Sequence, residues 1–213
     1  MSDHASGPRD ARFRSIVLFG APGVGKGTQG ERLGAAPGYV HLATGDIFRS
    51  LDRETPEGKE FTRYSTQGLL VPDDLTMRIW QKHVRDLIDR GLYTIETDLL
   101  VLDGMPRSVE QAEHLADLID PIVVLHLAAN DEDEMVRRIK QRGIDSGRSD
   151  DTDEHTIRRR FVEYREKTAP VLAQFDDAIV RNVDALGSID EVHGRLKEVI
   201  AEAREAFLAA ANG

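Results

Sequence analysis

The sequence predicts an α/β fold in three layers, with a central parallel sheet covered on both faces by helices. Three observations predict it. Short apolar runs rich in branched side chains recur without polar alternation, as in FRSIVLF at 13–19, TDLLVLDG at 97–104 and PIVVLHL at 121–127, the pattern of strands buried on both faces. Between these runs, apolar residues return at spacings of three and four, the period of an amphipathic helix. The first run stops at Gly20 and passes through a glycine-rich loop into a helical pattern, the entry of a βαβ unit.

The elements follow in order. Residues 1–12, MSDHASGPRDAR, are polar and read as a loose tail, with no apolar stretch of the kind a secretory signal carries. Phe13–Phe19 is the first strand, and a helix follows over about Lys26–Leu33. Ala35–Gly38 lengthens a surface turn before a brief strand at Tyr39–His41. Residues 44–71 hold two short helical patterns, near Gly45–Arg53 and Glu57–Ser65, and no strand, which suits a small helical lobe. The stripe Leu75, Ile79, Trp80, Val84, Leu87 and Ile88 marks the next helix, with Trp80 read as core. After the strand at 97–104, Val109, Ala112, Leu115, Ala116 and Ile119 mark another.

Residues 142–152, RGIDSGRSDDT, read as a polar loop between charged helices, either a lid or a plain solvated connection. The stripe Ile157, Phe161, Tyr164, Thr168, Val171, Leu172 and Phe175 is helical, with a kink expected at Pro170. A short strand is expected near Ala178–Val180, and a final helix over Ile189–Leu208 opens on a capping box of Ser188 and Glu191.

Composition narrows the function. The chain has 213 residues, 40% apolar and 31% charged, as an ordinary folded domain with one sizeable core has. A net charge of -10 argues against a nucleic-acid partner, whose footprint is basic. No apolar run reaches the roughly 20 residues of a membrane span. The absence of cysteine removes disulfides, thiolate nucleophiles and cysteine-built zinc sites, and suits a cytoplasmic location. The histidines are scattered without metal-ligand spacing; His41 reads as structural and His155 as solvated.

The most specific local pattern is Gly20-Ala21-Pro22-Gly23-Val24-Gly25-Lys26-Gly27-Thr28, a phosphate-binding P-loop in which Gly27 separates the lysine from the hydroxyl residue. Glycines let backbone N–H groups converge on phosphate oxygens, the helix that follows offers its electropositive end, and Lys26 adds a mobile charge beside the β and γ phosphates. By itself the loop leaves ATPases, GTPases and kinases open. Asp103 ends the strand at 97–104, where a carboxylate either holds a Mg²⁺-bound water or caps a turn. Arginine is concentrated between Arg137 and Arg165. Arg158 and Arg159 read as solvated surface charge, whereas Arg160 sits beside the buried Phe161.

Four further blocks join the loop in order: HLATGDIFR at 41–49, GLLVPDD at 68–74, LDGMPRSVEQAE at 102–113 and RGIDSGRSDDTDEHTIRRRFVEYREKTAP at 142–170. Together they resemble the adenylate kinase family, with the UMP/CMP kinases as close relatives, across nearly all of residues 13–208, and the segment 142–152 resembles the family's short-lid form. The resemblance implies a P-loop core of residues 13–43, 72–141 and 153–213, an NMP-binding lobe at 44–71 and a short lid at 142–152. It implies ATP as co-substrate, Mg²⁺ held mainly through phosphates and water with Thr28 and Asp103 beside it, AMP as acceptor, and a monomer.

It also implies residue roles. ATP phosphates would lie over Gly23, Val24, Gly25, Lys26, Gly27 and Thr28. Arg138 would cover the donor adenine and Gly187 would touch its edge. Thr44 would face the acceptor base, Arg49 and Arg107 would grip its phosphate, and Leu69, Leu70 and Val71 would line base and sugar. Gly104, Met105, Pro106 and Gln111 would complete that pocket, with Gln111 on the adenine edge. Arg142, Arg148 and Arg160 would converge on the transferring phosphates, with Asp150 and Asp151 ordering the closed lid.

Single residues carry a second reading. Thr44 fits a helix cap, and Gln111 fits a capping box with Ser108. The chain departs from the family pattern at Met105, where phenylalanine is usual, and at Ala43, where serine is common; Thr44 favours AMP over the pyrimidine nucleotides. Three rivals follow: a UMP/CMP or broad-specificity monophosphate kinase, an ATPase, and a nucleotide sensor without transfer activity.

Overall fold

The computed structural model describes residues 12–129, 131–148 and 151–211. The expected tail therefore falls outside the described residues up to position 11, as does Asp150. Five strands form one all-parallel sheet: β1 (Phe13–Phe19), β2 (Tyr39–Ala43), β3 (Leu99–Asp103), β4 (Ile119–Ala128) and β5 (Val180–Asp184). Their spatial order is β2-β3-β1-β4-β5, so β1 lies at the centre, with Val17 in register with Leu102 on one side and Val124 on the other.

Side-chain alternation along β1 builds two cores. Ile16 and Leu18 face one layer, with Leu33 of α1 (Lys26–Gly34), Ile139 of α6 (Glu132–Ser146), Phe161 of α7 (Glu154–Glu163) and Leu196 of α8 (Ile189–Ala211). Val17 and Phe19 face the other, with Trp80 of α4 (Asp73–Asp89) and Leu115 of α5 (Val109–Ala116). A sheet that is apolar on both faces needs cover on both, and this is the three-layer arrangement the strand composition requires. Trp80 is 1% exposed, within the core as expected. The segment after β2 folds as two helices, α2 (Thr44–Arg49) and α3 (Pro56–Ser65). Among the described residues no helix is long and apolar enough to cross a membrane.

Several expectations need correction. The last strand is Val180–Asp184, not Ala178–Val180: residues 176–179 form a turn in which Ile179 N–H donates to the Asp176 carbonyl at 2.9 Å. The edge strand tolerates exposed Arg181 and Asn182, so its apolar content was a poor guide. The first half of the expected loop at 142–152 is helical, because α6 continues to Ser146 and stops at Gly147, whose left-handed φ of 64° closes it. The second half of the helix expected over 157–175 is not α-helical. Tyr164–Thr168 is a π-helix and Ala169–Gln174 a 3₁₀-helix, so the departure begins before Pro170, which has no N–H to continue the α ladder. The capping box opening α8 does form, with Ser188 N–H on Glu191 Oε2 at 2.7 Å and Glu191 N–H on Ser188 Oγ at 3.3 Å.

Candidate active site

A cavity of about 640 Å³ opens at the carboxyl ends of the strands, touching Phe19, Ala43 and Asp103 at the ends of β1, β2 and β3. This edge, where the chain leaves the central strand in both directions, is where open parallel sheets carry ligands.

The glycine loop forms its floor. Gly20 adopts φ 143°, and a Cβ there would stand 2.5 Å from the Leu127 carbonyl, so only glycine lets β1 turn against β4. The helix α1 begins at Lys26 with no side-chain cap and no acidic residue in its first turn. Its leading N–H groups therefore have no intrahelical partner and face outward with the positive end of the helix dipole. Lys26 Nζ donates to the carbonyls of Gly20 at 2.6 Å and Ala21 at 3.0 Å. Burial pulls its pKa from 10.5 to about 8, with Arg107, Arg160 and Arg142 pulling the same way and Asp103 opposing.

Asp103 sits beside the loop, its Oδ2 3.6 Å from where a Cβ on Gly27 would stand and 3.7 Å from His41 Nε2. Burial pushes its carboxyl up, but His41, Lys26 and Arg107 outweigh that and hold it below the usual carboxylate range. His41 is wedged against α1, as a structural residue would be.

The arginines reach the cavity from three helices and two connections. Arg142 Nε and Arg160 Nη1 both bond the fully buried Asp151, at 2.8 and 2.6 Å, tying α6 to α7. Arg148 Nη2 and Arg49 Nη2 share Asp46 Oδ1, at 2.9 and 2.7 Å, which links the segment after α6 to α2 across the cavity mouth. Arg148 has a pKa below the usual arginine value, chiefly from burial and then from Arg49 and Arg142. Arg107 Nε donates to the Gly104 carbonyl at 2.7 Å, and its own carbonyl accepts from Thr168 Oγ1 at 2.9 Å. Arg138 lines the wall while paired to Glu134 at 3.0 Å. Like charges crowded at a cavity raise the energy of the protein alone and are relieved by a polyanion.

Every residue singled out from the sequence for nucleotide contact lies on this cavity: Gly23 to Thr28 on its floor, Thr44, Arg49 and Leu69 to Val71 on one side, and Gly104 to Arg107 with Gln111 behind them. Arg138, Arg142, Arg148, Arg160 and Gly187 complete the opposite side. Arg158 is elsewhere, exposed and paired with Asp133 and Glu154, as a surface charge would be.

Two local readings change. Thr44 is the first residue of α2 and caps nothing; its Oγ1 is buried with no hydrogen-bond partner. The capping box at α5 is only half formed: Ser108 Oγ accepts from Gln111 N–H at 3.1 Å, but the Gln111 carboxamide oxygen takes the Arg107 N–H at 2.7 Å instead. The Met105–Pro106 peptide is cis.

Sequence reasoning missed part of the wall. Glu163, Tyr164 and Thr168 line the cavity, although Tyr164 and Thr168 had been assigned to the core stripe. The spacing Arg160, Tyr164, Thr168 puts them on the arginine's face of the helix and was the available signal.

Comparison with known proteins agrees with this geometry. A family model described as adenylate kinase matches residues 18–180. An adenylate kinase of Flavobacterium johnsoniae is 40% identical over 192 residues, covering 87% of this chain and 97% of the relative. One from Mycolicibacterium smegmatis is 42% identical over 188 residues, with 84% and 95% covered, and one from Thermus thermophilus is 36% identical over 193 residues, with 88% and 97% covered.

Proposed function

The chain belongs to the adenylate kinase family and is a phosphotransferase, and from that premise we propose that it moves the γ-phosphoryl group of ATP directly onto AMP, giving two ADP, with Mg²⁺ as the companion ion. The observation that carries this reading is the convergence of Lys26, Arg49, Arg107, Arg142, Arg148 and Arg160 on one cavity beside an uncapped helix terminus. Binding one nucleotide needs fewer cations. Aligning two phosphate chains, and compensating the charge that spreads as one phosphoryl leaves for the other, needs several.

In this reading the donor phosphates lie over Gly23–Thr28 with Lys26 beside the β and γ groups, while Arg138 and Gly187 meet the donor adenine. The acceptor lies between α2 and Arg107, its phosphate on Arg49 and Arg107. Thr44, Gln111 and the backbone of Leu69–Val71 meet its base and sugar, and Gly104, Met105 and Pro106 close the pocket. Arg142, Arg148 and Arg160 face the phosphoryl in transit. Each remains charged throughout and offers a planar fork to phosphate oxygens. Asp151, shared by Arg142 and Arg160, fixes both guanidinium groups, so fewer rotamers are frozen when phosphates arrive. The acceptor is already an anion, so the transfer needs no general base.

Asp103 and Thr28 fit Mg²⁺: the carboxylate stands beside the loop with its charge favoured by His41 and Lys26, and the hydroxyl opens the same helix. Held there, Mg²⁺ would supply charge neutralisation to the donor phosphates. The lobe at 44–71 and the segment 142–152 act as closing elements, excluding water that would otherwise take the phosphoryl group. A single chain carries both nucleotide positions, so this chemistry needs no second subunit and suits a monomer; a cytoplasmic supply of nucleotides fits it too.

A coupled assay with AMP, UMP, CMP and GMP tests the reading. AMP is expected to be the preferred acceptor, with little hydrolysis of ATP when no acceptor is present; fast hydrolysis without acceptor would make the protein an ATPase. Lys26→Met is expected to lower kcat by about 100-fold or more, the scale for losing a preorganised charge at the reacting group. Turnover within about threefold of the parent would remove Lys26 from the phosphate cradle.

A further inference from the structure

Thirty-five or more residues separate Asp73 from its two partners on the other side of the acceptor pocket, and the contact is unusually determinate. Asp73 Oδ2 accepts from Ser108 Oγ at 2.8 Å, and Asp73 Oδ1 accepts from the Gln111 carboxamide nitrogen at 2.6 Å. The other end of the same carboxamide, Oε1, accepts the Arg107 backbone N–H at 2.7 Å. Gln111 is 2% exposed and lines the cavity. We infer that Asp73 is a specificity-determining positioning residue: it fixes which way round the Gln111 carboxamide sits, and thereby which purine edge the acceptor pocket takes. The inference deepens the function proposed above and rests on its assignment of Gln111 to the acceptor base.

Donors and acceptors fix the orientation. A free carboxamide can rotate by half a turn and exchange its oxygen for its nitrogen at small cost, because the two ends are nearly the same shape. Here the half-turn is blocked at both ends. A carboxylate only accepts and a backbone N–H only donates, so rotation would set oxygen against oxygen at Asp73 and nitrogen against N–H at Arg107. Ser108 holds the carboxylate in place, and Asp73 itself opens the first turn of α4, so the lock is anchored in two elements.

One carboxamide N–H and one oxygen lone pair are then left to face a base. Adenine presents an amino donor at position 6 and a ring acceptor at position 1. Hypoxanthine, the base of IMP, presents the reverse: a carbonyl acceptor at position 6 and an N–H donor at position 1. With the nucleotide anchored by its sugar and phosphate, one orientation of the carboxamide matches adenine and the other matches hypoxanthine. A locked carboxamide rejects the wrong purine because polar groups would be buried unpaired. A carboxamide free to rotate serves either.

The test compares AMP with IMP as acceptors in the parent, Asp73→Asn, Gln111→Met and the double variant. Asparagine keeps the shape of Asp73 but can donate or accept, so it removes the block at that end and leaves only the Arg107 N–H to oppose the half-turn. Asp73→Asn is expected to narrow the AMP-over-IMP ratio of kcat/KM by about tenfold, mainly through the acceptor KM, with the KM for ATP unchanged. Added to Gln111→Met, it is expected to change the ratio no further. If Gln111→Met narrows the ratio and Asp73→Asn does not, the inference fails while the reading of Gln111 stands. If Gln111→Met leaves the ratio unchanged, Gln111 does not read the base, and both fall.

Thermal melts show whether Asp73→Asn remains folded. A measurement on the unaltered protein stands independently of that variant: a side-chain amide proton of Gln111, bonded to Asp73, is expected to exchange slowly with solvent deuterium. Fast exchange of both protons, as in an exposed carboxamide, overturns the lock.

Discussion

Lys26 and Thr44 show how single residues are tuned by burial. Lys26 has its pKa lowered to about 8, mostly by burial, whereas the unfolded chain keeps the ordinary 10.5. Between these values the unfolded state binds more protons, so this group makes the nucleotide-free protein more stable as pH rises from 8 towards 10.5. Binding works in the opposite sense. Phosphates favour the charged ammonium, so ATP binding at pH 9 is expected to take up on the order of one proton, and ATP affinity to fall as pH rises beyond about 8. Calorimetry at pH 9 in two buffers of different ionisation heat measures the uptake; none is expected at pH 7. Thr44, which lines the cavity where the acceptor is proposed to lie, carries a buried hydroxyl without a partner. Thr44→Val is therefore expected to raise the KM for AMP by about tenfold while the melting temperature holds or rises, since replacing an unpaired buried hydroxyl by methyl removes a desolvation penalty. A lower melting temperature with unchanged KM would make Thr44 a packing residue only.

At the scale of elements, two helical glycines make opposite predictions from one substitution. Alanine favours a helix interior over glycine by about 1 kcal/mol. In α8, Gly194 is exposed and nothing lies within 4 Å of where its Cβ would be, so Gly194→Ala is expected to gain about 0.5–1 kcal/mol in urea unfolding. In α1, Gly30 is buried, and its Cβ would stand 2.2 Å from His41 Nε2. Overpacking of this kind costs about 1–3 kcal/mol and exceeds the propensity gain, so Gly30→Ala is expected to destabilise. His41 cannot yield freely, because the backbone and Cβ of the same residue also pack on Gly34. A stabilised Gly30→Ala variant would show that α1 and β2 are not pressed together as described.

For the whole molecule, the contrast is between a net charge of -10 and a cavity ringed by arginines. A cationic cleft in an acidic body draws anions to one place only, and salt screens that attraction. Because the proposed donor and acceptor positions share the cavity, a compound joining two adenosines through five phosphates is expected to bind one per chain. At 100 times its Kd it should stabilise the protein by about 2.7 kcal/mol and raise Tm by roughly 5–10 °C. Titration calorimetry gives the stoichiometry; two molecules per chain would separate the nucleotide positions and remove the in-line arrangement.

Much of this was legible in the sequence because it is local chemistry. The strand FRSIVLF and the glycine loop with Lys26 lie within sixteen residues, and their spacing alone specifies a buried strand turning through a glycine loop into a helix. The resemblance picked Arg138, Arg142, Arg148 and Arg160, which line the cavity, from an arginine-rich stretch in which periodicity favoured only Arg160. Local pattern failed where partners are distant. It placed β5 on Ala178–Val180 because that run is apolar, whereas the strand is fixed by pairing with β4 and carries exposed Arg181 and Asn182. It read 142–152 as loop because the stretch is polar, whereas α6 runs on to Ser146 and Gly143 lets that helix approach Asp151. The sequence by itself determined the layers, the phosphate loop and the family, since each depends on neighbours along the chain. Only the tertiary structure decided that Asp151 binds two arginines, that Asp46 bridges the cavity mouth and that Asp73 holds Gln111, because a side chain's partners are set by which elements pack together.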